Sequence, residues 1–107
     1  MFVGYLHCDS CRYKTRHFMA SHHPFRPHDV LFQHEGNRRI RIKQFPDDDA
    51  FYAKDQTAID RYFAALQQKH AKPKERIIRL SGWEDEATPV LCRRCNKSLF
   101  WKTTGIA

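Results

Sequence analysis

The chain lacks any apolar stretch long enough to cross a bilayer, which excludes a transmembrane helix on hydropathy alone. It also lacks a Gly-rich phosphate loop, an HExxH pair and a serine in a nucleophile setting. The usual signatures of nucleotide hydrolysis, zinc proteolysis and serine hydrolysis are therefore missing. There is no low-complexity tract, and no internal repeat apart from one short cysteine motif that occurs twice. Acidic residues are few: 12 Asp and Glu stand against 19 Lys and Arg, giving a formal charge of +7 in 107 residues. Cysteine is scarcer still, with four in the whole chain.

Those four are placed in two CxxC pairs, Cys8-Asp9-Ser10-Cys11 and Cys92-Arg93-Arg94-Cys95. At this spacing two thiolates from one tight turn can reach the same ion. Two such turns supply the four ligands of a closed tetrahedral site, for which Zn²⁺ is the expected occupant. The cations Arg12, Lys14, Arg93, Arg94 and Lys97 flank the pairs. They favour the thiolate form and partly neutralise a centre that carries a net charge of about −2. Three other readings are weighed. Paired disulfides suit a secreted chain, yet no leader is recognisable and CxxC fits a structural disulfide poorly. A thioredoxin-type redox site needs a strand-to-helix junction that neither pair offers. Iron in the same four-sulfur site gives an electron carrier.

Strand-like residues flank each pair. Phe2 to His7 and Tyr13 to His17 alternate around the first; Pro89-Val90-Leu91 and Leu99-Phe100-Trp101 bracket the second. Each CxxC thus reads as the tip of a β-hairpin. The pattern resembles the zinc-ribbon superfamily, with its rubredoxin-like knuckles of four cysteines. The resemblance covers the two ends of the chain and not the middle. Such knuckles often carry Pro after the first Cys and Gly after the second. Here Asp9 and Arg12 take those places in one turn, and Arg93 and Asn96 in the other.

The expected fold is a small α+β domain spanning residues 1–107. A zinc ribbon of two CxxC hairpins carries a long central insertion at about 19–88, and the insertion contains a β-hairpin and one α-helix. Val30–His34 and Arg38–Lys43 form the hairpin around the turn signal Glu35-Gly36-Asn37. Ile40 and Ile42 face inward, while Arg39, Arg41 and Lys43 face outward. Ile59, Tyr62, Phe63 and Leu66 recur with helical spacing, and Pro73 stops the helix. A Thr57-to-Asp60 capping box, or Asp55, starts it. Arg76–Leu80 is a further short strand.

A basic domain of pI about 9.5 is drawn to polyanions, either nucleic acid or an acidic protein surface. The expected role is a zinc-stabilised, non-enzymatic binding module in the cytoplasm, with one structural Zn²⁺ held by Cys8, Cys11, Cys92 and Cys95. Arg38, Arg39, Arg41, Lys43, Arg93 and Arg94 are its candidate nucleic-acid contacts. Tyr5, Tyr13, Phe100 and Trp101 are candidate stacking residues, set against burial in the core. Two alternatives remain. One is a protein–protein adaptor or inhibitor that works through the insertion. The other is a metal-dependent nuclease, because Leu91–Ser98 looks like the segment that closes many HNH endonucleases, with His22 or His23 as base. The helical Asn and metal-binding His of that family have no counterpart just before Cys92. His22, His23, His28 and His34, with Asp29, are also weighed as a second metal site and as a solvated loop.

Overall fold

The computed structural model describes residues 2–20, 29–45, 56–80 and 87–106. Within them lie β1 (Phe2–His7), β2 (Phe18–Ala20), β3 (Asp29–His34), β4 (Ile40–Gln44), α1 (Gln56–His70), β5 (Glu75–Ile78), β6 (Ala87–Leu91) and β7 (Ser98–Ile106). The strands form two antiparallel sheets, one of order β2-β1-β7-β6 and one of order β4-β3-β5.

The first sheet is built on its two central strands, one from each end of the chain. β1 pairs with β7 from Phe2↔Ile106 to His7↔Phe100, with an irregularity between Val3 and Gly4. Alternation sends Leu6, Leu99 and Trp101 to one face, where they are buried with Phe18 and Val90. The Trp101 ring meets Phe18 edge-on at 5.2 Å, and its Nε1–H donates to Thr103 Oγ1 at 2.9 Å. The buried indole is therefore both packed and hydrogen-bonded.

The second sheet is centred on β3. Val30, Leu31, Phe32 and Gln33 are all buried because both faces of this strand are covered. Leu31 and Ile78 join the core of the first sheet, with Ile40 and Ile42 packed against it. Val30 and Phe32 point the other way, into a cluster with Phe45 and with Phe63 and Leu66 of α1. The described residues thus stack as sheet, sheet and helix around two apolar seams.

Two glutamine amides join the layers by imitating a strand neighbour. Gln33 accepts from Leu91 N at 3.0 Å and donates to Leu91 O at 2.7 Å, tying β3 to β6 of the other sheet. Gln67 of α1 donates to Glu75 O at 2.8 Å and accepts from Ile77 N at 2.6 Å, covering the outer edge of β5. Such pairing satisfies backbone groups that an edge strand otherwise leaves open.

The architecture corrects the expected α+β ribbon with an appended insertion. The protein is β-rich, with one 15-residue helix among the described residues. The terminal hairpins merge into a single four-stranded sheet, and the middle strands pack into the same core. The physical reason is that an isolated two-stranded hairpin cannot bury its apolar face, so joining through β1 and β7 supplies the missing partner. Residues 13–17 also differ from the expected strand: they make one isolated bridge, His7↔Lys14, because Thr15 uses its hydroxyl, not its backbone, to accept the Leu6 N–H. The helix begins at Gln56, which places Thr57 inside it and not at its cap; Asp55 lies outside the described residues. His22, His23 and His28 are outside them as well.

Gly4 marks the tightest contact between the chain ends. A Cβ there would collide with the carbonyl oxygen of Lys102 and lie 2.8 Å from the Trp101 ring. Gly4→Ala is expected to destabilise the protein by about 1–3 kcal/mol through this overpacking. Denaturant unfolding measures it, and an unchanged midpoint contradicts the close approach.

Candidate metal centre and the cations around it

β1 leads directly into the first CxxC turn and β6 into the second. The two turns share one hydrogen-bond plan. Cys8 N donates to Tyr13 O at 2.8 Å, and Cys92 N donates to Lys97 O at 2.7 Å. The residue after the second cysteine is left-handed in both, with φ of 61° at Arg12 and 59° at Asn96. Glycine is cheapest at such a position and Asn is tolerated, so the demand falls hardest on Arg12, at a cost of about 1–2 kcal/mol. Backbone N–H groups point at the sulfurs in matching order: Ser10 and Cys11 to Cys8, Tyr13 to Cys11, Arg94 and Cys95 to Cys92, and Lys97 to Cys95.

Because β1 and β7 lie side by side, these two turns face each other. The Sγ atoms of Cys8, Cys11, Cys92 and Cys95 all lie within 4.8 Å of one another. The short contacts cross between the turns, Cys8 to Cys95 at 3.2 Å and Cys11 to Cys92 at 3.4 Å. No disulfide joins them; all four are free thiols. Four thiolates about 2.3 Å from a common tetrahedral ion sit about 3.8 Å apart, and the sulfur spacings here bracket that value. The four cysteines therefore lie together as in a CxxC zinc-binding site and could hold one metal ion. Cys8 and Cys92 are buried, and Cys11 and Cys95 are partly exposed.

The electrostatics of the cluster favour deprotonation at two of the four sulfurs. The Cys95 thiol and the Ser10 N–H hold Cys8 down to about 6 against burial, whereas the hydrogen bond with Cys8 pushes Cys95 up to about 12. At Cys92 burial opposes ionisation, but the N–H groups of Cys95 and Arg94 and the neighbouring thiols lower it overall. At Cys11 the Tyr13 N–H lowers the value, and burial with the Cys92 and Cys8 contacts outweighs it, so the thiol is raised. Without an ion, Cys8 is thus the readier of this pair to ionise and Cys95 the readier to keep a proton.

The six basic candidates fall into two groups. Arg38, itself left-handed at φ 60°, reaches from the β3–β4 turn to the second CxxC turn, where its guanidinium donates to Asn96 Oδ1 at 3.2 Å and Arg93 O at 3.3 Å. It thereby joins Arg93 and Arg94, both exposed, and Arg94 lies 5.8 Å over the Tyr13 ring. Arg39, Arg41 and Lys43 project to the helix side of the second sheet. Arg41 is engaged there: it pairs with Glu75 at 2.7 Å, donates to His70 O at 2.8 Å and covers the Phe32 ring at 4.4 Å. Lys43 lies 5.2 Å over Phe45 and 3.4 Å from His70 Nδ1. Arg39 is exposed and lines a cleft of about 400 Å³ with His34, Lys72 and Glu75.

The other candidates resolve as follows. His34 Nδ1 accepts the N–H groups of Gly36 and Asn37, which makes it a brace of the β3–β4 turn. Asp29 Oδ2 accepts from Met19 N at 2.7 Å. Trp101 is 1% exposed and belongs to the core, and Tyr13 packs against that core. Tyr5 and Phe100 remain half-exposed on the opposite face of the first sheet. Sequence reasoning missed Gln33 and Gln67, whose role depends on which strands end up adjacent. It also missed the reach of Arg38, for which Asn37-Arg38 after Gly36 gives no signal. Among the described residues no helix is long and apolar enough to cross a membrane.

Two outcomes follow for solution behaviour. A strong chelator is expected to lower the Tm by about 10 °C or more, and Cys92→Ser to do the same without chelator. Metal binding displaces the protons on Cys95 and Cys11, so apparent affinity is expected to rise with pH and fall steeply as Cys8 protonates near 6. Competition with a chromogenic chelator between about pH 5 and 8 measures this; a flat profile contradicts it.

Glu75 gives a separate acid response. Arg41 holds its carboxyl below the ordinary value of 4.5, against the effect of burial, and the Lys72 N–H adds to the lowering. A lowered carboxylate stabilises the fold fully above its unfolded value, and this contribution is lost as pH falls through the folded value. Glu75→Gln is expected to cost about 2 kcal/mol at neutral pH, since it leaves Arg41 without its partner, and progressively less below about pH 4. A pH-independent difference contradicts the pairing.

Compared with protein-family models, curated proteins and solved structures, the chain matches none of them.

Proposed function

We propose that the chain is a zinc-stapled basic module that binds nucleic acid. Zinc is the ion of choice for four thiolates at tetrahedral spacing, and a site filled by four sulfurs leaves no position for water or substrate. The metal's role on this reading is structural. The two turns are similar to zinc-ribbon knuckles, with Arg12 and Asn96 in the left-handed places. Free thiols in this arrangement suit a reducing compartment, in keeping with a cytoplasmic location.

One observation carries the binding proposal. Arg38 crosses from the β3–β4 turn to the second CxxC turn and so joins the adjacent pair Arg93 and Arg94, at least 55 positions away in sequence. Among the described residues the ion pairs are His7–Asp9, Arg41–Glu75 and Arg79–Asp60, and none of them engages Arg38, Arg93 or Arg94. Cations held together and left out of those ion pairs attract polyanions, and phosphates are the most abundant polyanionic groups to meet them.

The test is binding to a labelled oligonucleotide over a range of salt. Affinity is expected to fall linearly on a log–log plot, and the double variant Arg93→Ala/Arg94→Ala to flatten the slope by about 1–2. No binding at low salt, or binding indifferent to salt, contradicts the proposal.

A further inference from the structure

The first sheet has a second face, turned away from both apolar seams. Leu6, Leu99 and Trp101 point into the core. The pleat therefore sends Tyr5, His7, Phe100 and Lys102 outward. The register sets Tyr5 opposite Lys102 and His7 opposite Phe100 on the adjacent central strands. The rings form a row, with Tyr5 to His7 at 6.1 Å and His7 to Phe100 at 6.2 Å, and His17 adds a ring 5.1 Å from Tyr5. None of these pairs is parallel; the interplanar angles are 67°, 38° and 64°. The rings do not stack on one another.

Cations border this row. Lys14, bridged to His7 through the backbone, carries its Nζ 5.7 Å from the Tyr5 centroid, and Lys14 and Lys102 are both exposed. Residues 2–20 hold one acidic side chain, Asp9, which lies 3.4 Å from His7; residues 98–106 hold none. Among the described residues no ion pair engages Lys14 or Lys102, and half-exposed aromatics interleaved with such lysines are unusual for a surface that touches only water.

We infer that this face binds a single-stranded polynucleotide, with bases stacked on Tyr5 and Phe100 and phosphates met by Lys14 and Lys102. The inference rests on the nucleic-acid reading above and names the strand state and the surface. A duplex keeps its bases stacked inside, beyond reach of rings fixed on a sheet. A single strand presents base faces and phosphates together. The charge argues against an apolar peptide, which has no use for the lysines, and the rings argue against a purely electrostatic contact. Trp101, although aromatic and adjacent, takes no part because it is buried.

The experiment measures anisotropy of a labelled single strand of about 12 nucleotides and of the matching duplex, at one salt concentration, on the metal-loaded full chain. The single strand is expected to bind at least about tenfold tighter. Tyr5→Ala and Phe100→Ala should each weaken it about five- to hundredfold, while Tyr5→Phe retains affinity. Metal content and circular dichroism monitor folding of each variant. Photocrosslinking of the unaltered protein gives an answer that needs no variant, with adducts expected on β1 and β7. Equal affinity for both forms, unaltered binding by folded ring variants, or adducts confined to other surfaces overturns this inference and leaves nucleic-acid binding intact. Failure of both forms to bind overturns the underlying reading as well.

Discussion

Sulfurs from the two ends of the chain can occupy one tetrahedron only because β1 and β7 lie side by side. Their ladder runs from Phe2↔Ile106 to His7↔Phe100 and finishes at the cysteine turns. Each strand pair aims its turn at the other, and the shortest sulfur contacts are those between turns. The sheet brings the thiols together, and an ion bound there would in turn close the loop formed by residues 12–91. Closing a long loop removes more freedom from the unfolded chain than closing a short one. Sheet and site thus reinforce each other.

The middle of the chain is joined to this base by polar groups as well as by the core. Gln33 pairs with the backbone of Leu91 immediately before Cys92, and Arg38 reaches the loop around Arg93 and Asn96. The second CxxC turn is therefore held from outside by the β3–β4 hairpin. Further along the same hairpin Arg41 bridges Glu75 and the last carbonyl of α1, which fixes the helix against the sheet. Arg41, on the face of β4 turned to the helix, serves the fold, whereas Arg93 and Arg94 in the second CxxC turn stay exposed.

The two cysteine turns were legible in the sequence because CxxC spacing is a local property of one turn, and the structure brings their four sulfurs together. So was the inward placement of Ile40 and Ile42, for the same reason. The merging of the terminal hairpins into one sheet was not legible. Alternation tells which face a residue takes and says nothing of which strand lies beside it. The same gap hid the bonds of Gln33 and Gln67. It also made Arg41 look like a free surface cation, since Glu75 is 34 positions away. Trp101 and Phe100 are neighbours in the chain, yet one is core and the other surface. Only the direction of the pleat, fixed once β7 pairs with β1, distinguishes them. The left-handed turn at Arg12 opposes residue preference, so local propensity did not announce it.

The claim underlying all of this is that one ion, held by four cysteine sulfurs, fastens the two ends of the chain. X-ray absorption spectroscopy on the purified protein, combined with elemental analysis, tests it most directly. The account predicts one zinc per chain with a first shell of four sulfurs at about 2.3 Å. Substoichiometric metal, or a shell containing nitrogen or oxygen ligands, contradicts it.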